Sequence, residues 1–385
     1  MRGGRECADA MTASEIDFEA EGLLKGLRGR RRRARRELLE ELAREGFSLD
    51  ELRQAVEEDR LALLPVEREL AGGGARYSGN RIAELVGVDR DFLERQWRAL
   101  GMALPDPDEP AYTEADLEAA RRIARLLELG VPREGVIEVS RVLAIAMSQV
   151  AAANRLMVAD ALMQVGDTEV DVARRFEGAA RTLTPMIDDA LAYVFNLHLR
   201  EQLRHDVIDV QQVAAGRLGR AEVTICFADV VGFTRLGESL PAEELGGVTE
   251  RLAELAGEVA EPPVRLVKLI GDAAMLAGPA RDVLDAALSL IEAAESDPGF
   301  PLMRAGLASG QALERGGDFY GRPVNLASRL TEIARPGSVL ASAEVKEAAG
   351  EDVYRWSYAR SRRLKGIEGS VDAYRCRREI PGDER

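Results

Sequence analysis

Six polar residues in the last third of the chain have types and spacings that suit the binding of a nucleotide with metal ions. Two are aspartates, Asp229 and Asp272, whose carboxylate oxygens suit Mg²⁺ or Mn²⁺. Two are cations that could contact phosphate, and the remaining Asp and Asn could contact a base and a sugar. These other four residues are Lys268, Asp318, Asn325 and Arg329. The set predicts phosphate chemistry on a nucleotide.

The two aspartates follow elements that could bring them together. Asp229 ends the apolar run Val223–Ala228, which predicts a strand, and Asp272 follows the turn at Gly271 of a hairpin predicted over residues 264–277. A ferredoxin-like sheet places its first strand beside this hairpin. A single Asp after a strand is more often a helix N-cap, but the second carboxylate favours a metal site.

The residues after the first aspartate are expected to contact the substrate. Because glycine lacks a Cβ, the backbone at Gly232 can approach a phosphate closely. The helix predicted after it would offer N–H groups to the same anion. We therefore expect Gly232, Phe233 and Thr234 to bind substrate.

From Ala221 onward, β-rich runs alternate with amphipathic helical runs, which predicts an α+β domain. Residues 221–375 resemble the catalytic domain of class III adenylyl cyclases. The resemblance rests on Phe227–Thr234, Val267–Asp272, Gly321–Arg329 and Leu364–Gly369. It implies that ATP is converted to 3′,5′-cyclic AMP and pyrophosphate by in-line attack of the ribose 3′-hydroxyl on the α-phosphorus.

The resemblance also implies two divalent metal ions, Mg²⁺ or Mn²⁺, between Asp229 and Asp272. One ion would lower the pKa of the ribose hydroxyl and the other would hold the triphosphate. The backbone carbonyl of Val230 is a further expected metal ligand.

The remaining polar residues match the family's base, ribose and transition-state contacts. Lys268 and Asp318 match the pair that reads adenine, since Lys donates to a ring acceptor and Asp accepts from the exocyclic amine. Asn325 matches the residue that orients the ribose. Arg329, one helical turn further on, matches the arginine that stabilises the transition state.

Each site in this family forms between two catalytic domains, so the resemblance implies a homodimer with two shared sites. One domain would supply the two aspartates and its partner the other four polar residues. Two departures from the family pattern, Arg322-Pro323 and Ala273-Ala274, do not remove a site residue. We therefore expect both sites to be competent.

The N-terminal half has helical apolar spacing almost throughout. The expected fold class is α+β: a ferredoxin-like class III cyclase catalytic domain preceded by an all-α regulatory domain containing a MerR-like helix-turn-helix segment. The expected divisions are disorder over 1–22, the regulatory domain over 23–200 with the MerR-like segment at 77–131, a linker helix and junction over 201–219, and the catalytic domain over 220–380.

This arrangement resembles the actinobacterial pH-responsive, autoinhibited adenylyl cyclases. The resemblance implies that the N-terminal domain restrains catalysis at neutral or higher pH and releases it in mild acid, and it allows a lipid or fatty acid in that domain. The two histidines, His198 and His205, are seven residues apart and share a helix face near the junction. Histidine titrates near physiological pH, which makes the pair candidate regulatory residues; two incidental surface histidines are the alternative.

Composition narrows the partners and the location. The net charge of −15 disfavours nucleic acid as a partner. Three distant cysteines and the lack of an apolar signal segment predict a cytoplasmic protein. Val142–Val165 is the nearest candidate for a membrane span, but its polar residues favour a buried helix.

Two further functions are open on the sequence. One is a nucleotide-binding transcription regulator, and the other is a degenerate cyclase that serves as a scaffold. Both are disfavoured because Asp229, Asp272 and Arg329 are all present, and binding alone does not need a transition-state arginine.

Overall fold

The computed structural model of the protein describes residues 16–205, 220–350 and 354–378. The chain divides into two compact units, Met1–Glu201 and Gln202–Arg385. The first is helical and the second is built on one sheet, as the sequence predicted.

The helices that precede the sheet vary widely in length. They are α1 (Gly29–Arg44), α2 (Leu49–Glu57), a 3₁₀ turn (Leu61–Leu63), α3 (Leu64–Leu70), α4 (Gly79–Val86), α5 (Arg90–Ala99), α6 (Glu114–Glu128), α7 (Arg133–Leu162) and α8 (Glu169–His205). Helix α2 begins with a capping box: Ser48 Oγ accepts from Glu51 N at 3.3 Å, and Glu51 Oε2 accepts from Ser48 N at 2.7 Å.

A first hydrophobic core joins α1 and α2 to the beginning of α8. Phe18 and Leu24 are buried in it with Leu38, and Val170 of α8 packs against the same cluster. The order at residues 16–22 differs from the disorder expected up to residue 22, because Phe18 is an apolar anchor that a polar composition conceals. Arg35, also buried, donates to both carboxylate oxygens of Glu169.

A second core joins α4, α5 and α6 to the first turns of α7. Trp97 stacks on Tyr112 with ring centroids 4.5 Å apart, and Phe92 is fully buried beside them. Gly87, at the end of α4, has a φ of 67°, a left-handed conformation that favours glycine. Two short helices therefore lie where the helix-turn-helix was expected; a MerR-like arrangement of them stays a prediction.

The prediction that Val142–Val165 is a buried helix is wrong. Helix α7 is long and apolar enough to cross a membrane by length and composition, and 17% of its most apolar window is buried. The only buried residues of α7 lie near its start, where it packs on α5: Val136, Ile137 and Ser140. Apolar spacing indicates which face could be covered but not what covers it. One helix of this kind within the described residues is weak evidence for a membrane span.

The second unit contains one eight-stranded sheet. Its strands are β1 (Arg220–Val230), β2 (Arg265–Ile270), β3 (Ala273–Gly278), β4 (Met303–Arg315), β5 (Asp318–Tyr320), β6 (Ser338–Ser342), β7 (Tyr354–Arg362) and β8 (Val371–Arg378). The order is β2-β3-β1-β4-β6-β8-β7, with β5 paired to β4. The pair β4–β6 is parallel, whereas β1 is antiparallel to both of its neighbours.

Helices cover both faces of the sheet. They are α9 (Phe233–Ser239), α10 (Ala242–Val259), α11 (Ala280–Ser296), α12 (Arg322–Ile333) and α13 (Ala343–Ala349). Alternate residues of β1 enter different cores: Cys226 packs with residues of α10 and α11, and Ile225 packs with residues of α12. The predicted α+β catalytic fold is thereby confirmed.

Candidate active site

The structure brings Asp229 and Asp272 together. Asp229 lies opposite Ala273 in the β1–β3 pairing, so its carboxylate lies beside the hairpin turn that carries Asp272. The Val230 N–H donates to the Asp272 carbonyl at 3.0 Å and fixes this junction. Burial raises the pKa of the Asp272 carboxyl, and the negative charge of Asp229 raises it further. Two carboxylates in this position favour a bound cation.

Arg304 was missed by the sequence reasoning. Its Nη2 and Nε donate to Asp229 Oδ2 at 2.7 and 3.0 Å, and its Nη1 donates to the Glu332 carbonyl at 2.9 Å. Arg304 lies directly opposite Asp229 in the β1–β4 register. Only that register identifies the arginine, because the strand pattern of residues 303–309 does not indicate which residue faces Asp229.

The segment after Asp229 turns sharply into α9. Gly232 has a φ of 79° and precedes the first residue of the helix, which is the position where glycine was expected. The Val231 N–H donates to the Leu302 carbonyl at 2.8 Å and ties the turn to the loop before β4. Phe233 is half-buried against the core and Thr234 is exposed. Their contact with substrate, and the Val230 carbonyl as a metal ligand, stay predictions.

Lys268 and Asp318 form an ion pair although 50 residues separate them. Lys268 is on β2 and Asp318 begins β5, whose pairing with β4 forms a short arm. The Phe319 N–H donates to Asp318 Oδ1 at 2.9 Å, which leaves Oδ2 directed at the lysine. This pair was predicted to read the base, whereas strand β5 was not predicted.

Asn325 and Arg329 lie on α12, a helix that packs unusually close to strand β4 of the sheet. A Cβ on Gly306 of β4 would lie 2.2 Å from Thr331 N and 2.6 Å from Ala327 O, so only glycine allows this approach. Asn325 is exposed, and Arg329 forms an ion pair with Glu332.

Two clusters of candidate site residues are joined by polar contacts among the residues that the structure describes. One contains Asp229 and Asp272 with Arg304, and the other contains Lys268 with Asp318. Among these described contacts, none joins Arg329 directly to either aspartate.

Comparisons with known proteins cover both units. The profile described as adenylate cyclase regulatory domain matches residues 16–203, and the adenylate and guanylate cyclase catalytic domain profile matches 219–377. The chain is 41% identical over 371 residues to the pH-sensitive adenylate cyclase MT1302 of Mycobacterium tuberculosis, which covers 94% of this chain and 92% of that protein. The chain belongs to the adenylate cyclase family.

A Streptomyces relative agrees with the assignment, and a solved cyclase structure is also similar to part of the chain. The adenylate cyclase of Streptomyces griseus is 34% identical over 288 residues, which is 74% of this chain and 70% of that protein. The solved adenylyl cyclase CyaB from P. aeruginosa is 22% identical, covers 42% of this chain and 96% of its own, and has a TM-score of 0.36. The resemblance to actinobacterial cyclases that the sequence indicated is confirmed.

The two candidate regulatory histidines of the cyclase both lie on α8. His198 is exposed, and an ion pair between Arg200 and Glu201 lies next to it along the helix, with 3.7 Å between Nε and Oε1. His205 is the last residue of α8, and its side chain lies outside the described part of the structure. A role for either histidine in regulation stays a prediction.

Proposed function

We propose that this adenylate cyclase converts ATP to 3′,5′-cyclic AMP and pyrophosphate at a site that requires two divalent metal ions. The observation that carries the proposal is the pair of carboxylates, Asp229 and Asp272, at the junction of β1 and the β2–β3 hairpin. The intact adenine, ribose and transition-state residues support an active enzyme over a nucleotide-binding regulator or a scaffold.

The residues present suit hard divalent cations. Asp229 and Asp272 would hold Mg²⁺ or Mn²⁺, and the raised pKa of the Asp272 carboxyl reflects a pair that a cation would stabilise. When bound, the metal ions would supply activation of the ribose hydroxyl and neutralisation of phosphate charge. Arg304 donates two hydrogen bonds to Asp229, and both end on Oδ2. The other carboxylate oxygen, Oδ1, takes no part in this ion pair and would be the one to contact a metal ion.

The base and ribose contacts come from the other cluster. Lys268 would donate to a ring nitrogen of adenine and Asp318 would accept from the exocyclic amine. Both groups are partly exposed, with 37% and 27% of their side chains accessible, so a base can reach them. Asn325 would orient the ribose, and Arg329 would exchange Glu332 for the phosphate charge of the transition state.

We further propose that the enzyme is a homodimer with two shared active sites. Within one chain, the described contacts keep the aspartates and the base-reading pair in separate clusters, which supports completion of each site by a second copy. Each copy would supply the aspartates to one site and the base, ribose and transition-state residues to the other.

Regulation is proposed to come from the helical unit, which would restrain catalysis and release it in mild acid. The relative from M. tuberculosis that carries the name pH-sensitive adenylate cyclase supports this proposal. A lipid or fatty acid is a further proposed ligand of the unit. An open cleft of about 580 Å³ is lined by Arg98, Arg141 and Ile145 among others, and this mixture suits an anionic amphiphile. We propose a cytoplasmic location, which the free, buried Cys226 and Cys376 support.

Cyclic nucleotide production tests the activity and its restraint together. The full-length protein and a truncated chain beginning at Gly219 would be incubated with ATP or GTP and Mn²⁺, at about pH 6 and about pH 8. We expect cyclic AMP from both, with strong pH dependence only in the full-length protein. Asp272→Asn is the control and should abolish product. If neither protein forms cyclic AMP with any metal at either pH, the enzymatic proposal is wrong.

The histidines are tested in the same assay. We expect His198→Ala combined with His205→Ala to flatten the pH profile of the full-length protein. Its profile should then approach that of the truncated chain, which lacks both histidines. An unchanged profile would remove them as sensors but would leave the cyclase activity intact.

A further inference from the structure

Arg265 makes two contacts that tie β2 to the β4–β5 arm. Its Nη2 donates to Glu314 Oε1 at 2.9 Å, and its guanidinium lies over the Phe319 ring, 5.2 Å from the centroid. Glu314 is on β4, and Phe319 follows Asp318 on β5. One side chain on the strand of Lys268 therefore contacts both strands of the arm that carries Asp318.

A bulge in β2 allows Arg265 and Lys268 to act on the same side. Residues three apart on a regular strand point to opposite faces. Here Arg265 pairs with Ala277 and Lys268 pairs with Met275, so the three-residue step on β2 matches a two-residue step on β3. The additional residue lies between Leu266 and Lys268 and restores a common face.

The β4–β5 arm packs on the same face of the sheet as Arg265 and Lys268. Phe319 is 6% exposed and belongs to one core cluster with Met275 and Ala277, the β3 partners of Lys268 and Arg265. The arm is therefore anchored by a buried ring below the guanidinium of Arg265 and by the Glu314 ion pair beside it. These contacts lie next to the Lys268–Asp318 pair but do not include it.

A partly exposed ion pair fixes geometry weakly, because water competes for both charges and each side chain loses freedom. The Lys268–Asp318 pair is of this kind, with 37% and 27% of the side chains accessible. Base recognition requires the two groups to stay at a fixed separation, with one donating and the other accepting. A second connection between the same two elements reduces the freedom of that separation before the base arrives.

We propose that Arg265 is a positioning residue for nucleotide selection, acting through Glu314 and Phe319 to hold Asp318 in register with Lys268. The inference rests on the proposed role of that pair in reading adenine. Arg265 does not contact the reacting groups in this account. Its loss should weaken ATP binding and base discrimination and leave the chemical step nearly unchanged.

The test is a kinetic comparison of full-length variants with both ATP and GTP. Arg265→Met keeps the apolar stem and removes both contacts, and Glu314→Gln weakens the ion pair alone. For Arg265→Met we expect KM for ATP to rise about 3- to 10-fold, the scale of one or two weakened polar contacts, with kcat within about 2-fold. The preference for ATP over GTP should fall by a similar factor.

Two further variants separate positioning from general damage. Arg265→Lys keeps the charge but not the planar fork, so it should recover part of the loss in KM. Arg251→Met is the matched control, because Arg251 also makes two side-chain contacts in this unit, here ion pairs with Glu254 and Asp297, but belongs to α10. It should leave KM and nucleotide preference unchanged.

The double variant Arg265→Met with Glu314→Gln should lose less than the sum of the two single effects, since both act through one connection. An unchanged KM and ATP preference in Arg265→Met would overturn the inference, as would a fall in kcat alone. Binding of a fluorescent ATP analogue with Mn²⁺ gives a readout that does not need turnover. A wild-type protein that forms no cyclic AMP would contradict the proposed function itself, whereas an active wild type with insensitive variants contradicts only the role of Arg265.

Discussion

Asp272 is held in a position that disfavours its own ionisation. Burial raises the pKa of its carboxyl, and the charge of Asp229 raises it further, while Arg304 acts in the opposite direction. Arg304 is hydrogen-bonded to Asp229, so its charge compensates Asp229 more directly than Asp272. In the metal-free protein the charge of Asp272 is therefore only partly compensated, and binding of a cation at the proposed metal site should relieve this cost.

Replacing Asp272 with Asn should make the metal-free protein more stable at neutral pH while abolishing cyclase activity. A carboxyl whose pKa is raised by folding binds more protons in the folded state, so wild-type stability falls as pH rises through that raised pKa. The gain from Asn should therefore be present at neutral pH and should vanish below about pH 4, where the unfolded carboxyl is also protonated. We expect the gain in the free energy of unfolding to stay well below about 1 kcal/mol, because Asp272 is only partly buried and solvent screens its charge.

Urea unfolding in the presence of a chelator, at a series of pH values, measures this difference. Asp282→Asn is a suitable control, because Asp282 lies in the first turn of α11 and not beside Asp229 or Asp272 in the sequence. This variant should show no such gain in stability. A destabilised Asp272→Asn protein at neutral pH, or a gain that persists in acid, would show that the cost does not arise from ionisation of Asp272.

At the scale of elements, sequence patterns predicted the helices and strands whose apolar residues recur at a regular spacing. The amphipathic runs expected after Ala221 form helices such as α10 and α13, and the predicted hairpin turns at Gly271. Asp229, Asp272, Lys268 and Asp318 could be proposed as site residues because their motifs are local, and their roles stay predictions. Strand β5 was missed because three residues carry no period, and its existence depends on pairing with β4.

The contacts between elements could not be predicted in the same way. The ion pair from Arg304 to Asp229 depends on the register of β1 and β4, and the approach of Arg265 to the arm depends on a bulge. Neither has a signature in the order of residues. The buried state expected for α7 failed for a related reason, since an apolar face does not reveal its covering element.

Gly306 sets the position of the helix that carries Asn325 and Arg329. In Gly306→Ala, the added Cβ would meet Thr331 N at 2.2 Å and Ala327 O at 2.6 Å, both backbone atoms of α12, so the helix must move away from β4. We expect a loss of about 1–3 kcal/mol in the free energy of unfolding, together with a large fall in kcat. Chemical unfolding followed by a single-turnover assay on the folded fraction measures both effects.

Gly257→Ala provides the matched control, because Gly257 lies inside α10 and an added Cβ meets no atom within 4 Å. It should stabilise the protein by up to about 1 kcal/mol through helix propensity. If Gly306→Ala is as stable and as active as this control, close approach of α12 to β4 is not what positions Arg329.

At the scale of the whole molecule, several large apolar side chains are not covered by the residues that the structure describes. Ile145 and Met157 on α7 and Tyr193 and Phe195 on α8 are each more than 60% exposed. The described contacts of the catalytic unit also leave the two aspartates apart from the pair that is proposed to read the base. Both features are consistent with function in an assembly larger than one chain.

Mixing two inactive variants tests whether the site is shared between copies. In the proposed site, Asp272→Asn removes a metal ligand and Arg329→Ala removes the arginine that would stabilise the transition state, so each variant alone should be inactive. In a mixed dimer with shared sites, one site contains both substituted residues and the other contains only wild-type residues. Random mixing makes half of the dimers mixed, so activity should recover to about one quarter of the wild-type value.

The expected recovery depends on which copy supplies each residue and not on folding, so two further mixtures serve as controls. The first combines substitutions of residues that the same copy supplies to a site, and the second combines substitutions of residues that different copies supply. Asp229→Asn mixed with Asp272→Asn should stay inactive, because every site then lacks one aspartate. Lys268→Ala mixed with Asp272→Asn should recover activity as the first mixture does, since Lys268 is assigned to the opposite half. If no complementing mixture exceeds its separate parents, each active site is built within one chain, and the described clusters must then approach one another when nucleotide binds.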